Sequence, residues 1–138
     1  MKEKFEHHIF TSSEAWQGFT LDFLDDDICR HWILTHLHRT GAACPHCRQK
    51  VQGEKNLNRF WLNMRIRCTQ CSRYYRASSK TFLERAEKDY RWLFFIAAMI
   101  GAGVSDRQIA ERLDADPQTV KKYRRIFEAF EGILDEKE

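Results

Sequence analysis

Four cysteines form two pairs of identical spacing, Cys44-Pro45-His46-Cys47 and Cys68-Thr69-Gln70-Cys71, with 20 residues between the pairs. Two residues between thiolates let a tight knuckle aim both sulfurs at one ion, and a second knuckle closes a tetrahedron. The pattern predicts one structural Zn2+ held by Cys44, Cys47, Cys68 and Cys71. A lone C-x2-C could be a redox pair, but two pairs at this spacing in a reducing compartment read as a metal site. Four thiolates leave no open coordination position, so the metal is expected to organise the chain rather than to catalyse. The ion with four thiolates carries a net charge of about −2, which the neighbouring Arg48, Lys50, Arg67 and Arg73 would offset. The fifth cysteine, Cys29, lies in an apolar stretch with Leu21, Leu24, Ile28 and Ile33 and is expected to be a buried free thiol.

Two further groups could do chemistry. His36-Leu37-His38 is a His-apolar-His triplet, the arrangement with which small single-strand DNA nickases hold a metal beside a nucleophilic tyrosine. That use needs a strand, where residues i and i+2 share a face. Leu24, Ile28, Trp32 and Leu37 instead predict a helix that ends at Gly41, on which the two histidines diverge. Asp22, Asp25, Asp26 and Asp27 are crowded together without a distant third carboxylate, so they read as a helix start favoured by the dipole. No catalytic residue is assigned, and the chain is not expected to be an enzyme.

Charge is unevenly distributed. The 138 residues carry a formal net charge of +3. Residues 1–29 hold 2 basic and 7 acidic side chains, residues 30–91 hold 14 and 4, and residues 92–138 hold 7 and 9. A strongly basic middle third points to a polyanionic partner, most often nucleic acid, against the plainer alternative of a solvated surface. Aromatic residues make up 13%, enough apolar surface to argue for a folded chain. The longest apolar run, Trp92 to Ala102, is shorter than the roughly 20 residues of a membrane span. No secretory leader follows Met1-Lys2-Glu3-Lys4-Phe5-Glu6. A cytoplasmic protein, nucleoid-associated when bound to DNA, is therefore expected.

The elements that must position these residues follow from local patterns. Gly53 marks a turn, and Arg59 to Arg67 alternates: Phe60, Leu62, Met64 and Ile66 on one side, Arg59, Trp61, Asn63, Arg65 and Arg67 on the other. This predicts a β-hairpin with a small core behind the metal and a basic outer face, continued by Arg73, Tyr74, Tyr75 and Arg76. Aromatics between arginines suit stacking and phosphate contact, although Trp61, Tyr74 and Tyr75 could simply pack inward. Lys88 to Ala102 predicts a core helix with Trp92, Phe95, Ile96 and Met99 on one side. Ser105 and Gln108 fit a capping box opening a short helix to Leu113. Asp116 and Pro117 fit the cap and first position of the next helix, which carries Val120, Tyr123, Ile126 and Phe127.

This is helix-turn-helix spacing, with Ala110 at the crossing and Asp114 where the turn usually has Gly. Asp tolerates the left-handed conformation such a turn needs. Gln118, Thr119, Lys121, Lys122 and Arg125 would face a major groove, where Gln reads adenine and Lys or Arg reads guanine or phosphate. The plainer alternative is a three-helix bundle with a solvated basic face.

The order of these pieces resembles the N-terminal DNA-binding region of bacterial insertion-sequence transposases. The matching residues are Trp32, Cys44-Pro45-His46-Cys47, Arg65-Ile66-Arg67-Cys68-Thr69-Gln70-Cys71, Thr81-Phe82, Trp92 and Val104 to Arg125, within residues 28–127. The resemblance implies recognition of element ends or promoter DNA by the cysteine module and the second helix of the motif. The three metal-binding carboxylates of a transposase nuclease domain are not expected here, since residues 127–138 read as a helix end and an acidic tail.

The expected fold is α+β. An acidic helical segment (residues 1–41) leads into a four-Cys zinc ribbon of β-hairpins (42–80), packed with a helix-turn-helix domain that ends in an acidic tail (81–138). The expected function is sequence-specific binding of double-stranded DNA, with Gln118, Thr119, Lys121, Lys122 and Arg125 in the groove and Arg59, Arg65, Arg67, Arg73 and Arg76 on phosphates. A protein-interaction adaptor built on the zinc ribbon is the alternative, and the acidic segment could dock a protein partner. Helix-turn-helix proteins commonly form homodimers, and either the Trp92–Met99 helix or the N-terminal segment could supply that surface.

Overall fold

The computed structural model describes the backbone of residues 9–137 and the side chains of residues 9–129. The fold is α+β: among the described residues it has six α-helices and one two-stranded antiparallel sheet. Helix α1 (Ser12–Gly18) opens on a complete capping box, in which Thr11 Oγ1 accepts the Glu14 N–H and Glu14 Oε1 accepts the Thr11 N–H. A single 3-10 turn (Leu21–Phe23) leads to α2 (Asp26–Leu37). Two of the four clustered aspartates serve as caps, and Asp27 pairs with Arg30. Asp25 caps α2 through the Ile28 N–H, and Asp26 reaches across the molecule to accept the N–H groups of Tyr90 and Arg91. Those belong to the N-terminus of α4 (Tyr90–Gly101), which Asp89 also caps through the Trp92 N–H.

The predicted apolar stripe on α2 is corrected. Cys29, Ile33 and Leu34 are buried, whereas Ile28 is 71% and Trp32 46% exposed. The helix is turned so that Leu34, not Ile28 or Trp32, enters the core beside α4.

The alternating stretch from Arg59 to Arg67 is also corrected. Residues Glu54–Trp61 form helix α3, and only Ile66–Arg67 form a strand, β1. Phe60 and Ile66 are buried as expected, but Leu62 and Met64 are exposed. The cause is a left-handed residue, Asn63 (φ 57°), that ends α3 in a Schellman motif. The Asn63 N–H donates to the Phe60 carbonyl and the Met64 N–H to the Arg59 carbonyl. The period of two thus spans a helix, a turn and a strand. Strand β1 pairs with β2 (Tyr74–Tyr75), with Ile66 opposite Tyr75 and Arg67 opposite Tyr74.

Two more helices end in the same motif. Gly103 (φ 80°) closes α4, its N–H donating to Ile100 and that of Val104 to Met99. Asp114 (φ 50°) closes α5 (Asp106–Leu113), with its N–H on Glu111 and that of Ala115 on Ala110. Asp in place of Gly therefore does adopt the left-handed turn. Ser105 caps α5 by accepting the Gln108 N–H. Helix α6 (Pro117–Lys137) starts at Pro, with Asp116 accepting the Gln118 N–H.

One continuous cluster of buried residues joins helices α2 through α6 and the two-stranded sheet. Helix α4 is its centre, burying Trp92, Leu93, Phe95, Ile96 and Met99 against α2, α5 and α6. Ile109, Ala110, Val120 and Tyr123 complete the α5–α6 side, where the Trp92 and Tyr123 rings meet edge to face at 5.2 Å. Each large side chain so buried contributes roughly 1.5–3 kcal/mol. The cluster continues through Leu34 into Phe60, Ile66, Tyr75 and Ala77 around the cysteines. Asn63 ties the two parts together: its side chain donates to the Tyr90 hydroxyl of α4 and accepts the Ser78 N–H.

Candidate metal centre and nucleic-acid interface

The two cysteine knuckles have the same backbone. In the first, the Cys44 N–H donates to Gln49 and the Arg48 N–H to Cys44, with Arg48 left-handed (φ 65°). In the second, the Cys68 N–H donates to Arg73 and the Ser72 N–H to Cys68, with Ser72 left-handed (φ 67°). Each knuckle is a short hairpin: an Ala43–Lys50 bridge flanks one, and β1–β2 the other. Repetition of one strained turn 24 residues apart brings four sulfurs together from two separate loops.

The sulfurs of Cys44, Cys47, Cys68 and Cys71 all lie within 4.8 Å of one another. The Cys44–Cys71 separation is 3.8 Å and the Cys47–Cys68 separation 3.5 Å. A tetrahedron of sulfurs each about 2.3 Å from a central ion has edges of about 3.8 Å. The cluster is therefore compatible with one structural metal ion. Backbone N–H groups also aim at the sulfurs, as the His46 N–H does at Cys44 Sγ over 3.4 Å. The N–H groups of Cys71 and Gln70 draw the Cys68 thiol down to about 6. Cys47 receives an N–H from Gln49, yet desolvation and the other three sulfurs outweigh it and push the thiol up to about 11. Without a cation, four such sulfurs cannot all hold negative charge. Tyr75 is buried beside them, and desolvation followed by their charge pushes its hydroxyl up to about 12. Cys29 stands apart as a buried free thiol, raised mainly by desolvation.

Arg65, Arg67, Arg73 and Arg76 of the module are exposed. Arg65 lies over the exposed Tyr74 ring at 3.9 Å, next to Arg67 on the same face of the hairpin. Arg59 is turned inward to donate twice to the Arg65 carbonyl, Arg76 donates to the Asn63 carbonyl, and Arg67 reaches the Ser72 carbonyl at 3.5 Å. Arg73 is exposed. Among the described residues none of these five arginines is paired with a carboxylate. Of the three rings, Tyr75 is buried, Trp61 packs edge-on against Phe60 and His38, and Tyr74 alone stays open.

On α6, Gln118, Lys121, Lys122 and Arg125 are exposed and follow the spacing of one helix face, while Thr119 is half-buried. Val120 and Tyr123 hold the opposite face in the core. Arg124, which no sequence pattern marked, locks the pair of helices. It donates to Asp106 at 2.6 Å and to the Val104 carbonyl at 3.0 Å, at the start of α5. The two basic sets sit on different supports: α3 and β1 lead back to α2, whereas α6 packs on α4 and α5.

The histidine triplet does not assemble. His36 donates to the Trp32 carbonyl and stacks on that ring, while His38 Nε2 donates to the Ala77 carbonyl 39 residues away. Arg112 is the other residue that sequence reasoning passed over. It lies over the Trp16 ring at 3.9 Å and donates to the Trp16 and Phe19 carbonyls, strapping α1 to α5. No described helix is long and apolar enough to cross a membrane. Comparison of the chain with protein-family models, with curated proteins and with solved structures gives no match.

Proposed function

We propose that this protein binds double-stranded DNA sequence-specifically, as a transcriptional regulator or a transposase-derived DNA-binding protein. In this reading α5 and α6 are a helix-turn-helix and α6 enters a major groove. The observation that carries it is the row Gln118, Lys121, Lys122 and Arg125, exposed along one face of a helix whose other face is anchored in the core. Gln118 would read an adenine edge, and the cations guanine or phosphate. Arg124 supports this use indirectly, since it fixes the angle between the two helices and so the approach of the row to DNA.

The cysteine cluster would hold one Zn2+, as its all-sulfur donor set and tetrahedral edges favour. The ion would stiffen the module and keep Arg65, Arg67 and Arg73 on its surface for phosphate contact. Arg59 and Arg76, whose guanidinium groups are engaged with backbone carbonyls, would serve mainly to shape that surface. No step of catalysis is part of this reading.

Selection from a randomised duplex pool at two salt concentrations, with zinc-loaded protein, tests it. Enrichment of one motif that survives the higher salt is expected. Sequence-blind binding that vanishes with salt, or none, would overturn the reading and favour the adaptor alternative.

A further inference from the structure

Helix α4 spends its apolar side chains inside the chain, but α2 does not. Beyond its buried face, α2 presents a second face made of Ile28, Trp32 and His36, flanked by its N-cap Asp25 and, past the helix end, by Arg39, whose Nε donates to the His36 carbonyl. All five are exposed, Ile28 at 71% and Trp32 at 46%. Trp32 is held rigid, stacked on His36 at 3.8 Å and edge-on to Phe94 at 5.1 Å. The intervals along this face are 3, 4, 4 and 3 residues, so it reads the same in both directions. Its charge does not: a carboxylate stands at one end and a guanidinium at the other.

We propose that this face is the contact surface for a second copy of the chain, paired antiparallel about a twofold axis through Trp32. In that register Trp32 meets its own copy, Ile28 meets His36 of the partner subunit, and Asp25 meets Arg39 of the partner subunit, twice over. Self-complementarity of this kind is what an isologous interface requires. Charge complementarity chooses the antiparallel arrangement, because parallel pairing would set like charges at both ends. The antiparallel helix dipoles favour the same choice. Two helices of this length bury less than the roughly 800 Å2 per partner of a standard interface, so the dimer is weak, with a dissociation constant above about 1 µM. This inference is independent of DNA binding, since a monomer could bind a single half-site and a dimer could form without DNA.

Sedimentation equilibrium on the zinc-loaded full chain, without DNA, tests it. A monomer–dimer equilibrium is expected across the micromolar to millimolar range. Ile28→Lys should raise the dissociation constant at least about tenfold, since a lysine would then be buried without a partner. Arg39→Glu should raise it by about threefold, as should Asp25→Asn, which keeps the helix cap but removes the charge. Added salt should weaken the wild type and leave Asp25→Asn nearly unaffected. Unchanged circular dichroism shows that each variant folds; these positions are exposed. A monomer at every concentration, or a dimer that tolerates Ile28→Lys, would overturn the proposal.

Discussion

The cysteine module and the three C-terminal helices differ in how most of their arginines are used, Arg112 and the exposed Arg125 being exceptions among the helices. In α4–α6, Arg91, Arg107 and Arg124 are each paired with a carboxylate, and Arg124 also holds the backbone at Val104. In the module, Arg59, Arg65, Arg67, Arg73 and Arg76 bond only to carbonyls, lie over a tyrosine, or stand exposed. The two regions also differ in what holds them. The helices bury five large or medium apolar side chains from α4 alone, whereas the module has two-residue strands and a few buried residues around four sulfurs. A region stabilised by burial can spend its charges on its own geometry. The module, with little burial, leaves Arg65, Arg67 and Arg73 on its surface.

The sharpest way to break this contrast is to remove the metal. A structural zinc contributes about 10–16 kcal/mol to a small module at neutral pH. Chelation should therefore unfold residues 44–71 while α4–α6 keep their helical signal. Amide hydrogen exchange would read this directly, and protection retained at Cys68 and Tyr75 in the chelated protein would refute a metal-dependent module. Next in size is Phe95→Ala, which empties a fully buried site at the centre of the bundle and should cost about 3–5 kcal/mol. Denaturant melting should show it, with the metal content unchanged. Arg124→Ala should cost about 1–3 kcal/mol, because it leaves Asp106 and the Val104 carbonyl unpaired. Arg67→Ala should stay within about 0.5 kcal/mol and change only DNA affinity. Equal losses in the two variants would erase the distinction. The smallest effect on stability belongs to Lys121→Ala with Lys122→Ala. This double variant should melt as the wild type does yet lower the salt slope of DNA binding by about 2. An unchanged slope would move the phosphate contacts away from α6.

Several of these features are legible without coordinates. The two C-x2-C pairs declare a cluster of four sulfurs, because knuckle geometry depends on covalent spacing. Asp116-Pro117 and Ser105 mark helix starts because caps are local hydrogen bonds. The α2 stripe and the Arg59–Arg67 alternation were not legible, and for different reasons. Alternation over nine residues fits a strand, but Asn63 turns left-handed, and its side chain is rewarded by Tyr90 and Ser78, both remote in sequence. On α2, apolar residues occur on two faces, so periodicity alone does not say which one α4 covers.

The sequence by itself determined the donor set of the cluster, the starts of α5 and α6 and the left-handed turn at Asp114, since each rests on interactions among a few neighbouring residues. Only the tertiary structure decided that Asp26 caps α4, that Arg124 is a lock while Arg125 is exposed, and that Ile28 and Trp32 lie outside. Those outcomes depend on which surfaces meet, and burial is non-directional: many pairings satisfy the same apolar pattern until the whole chain packs.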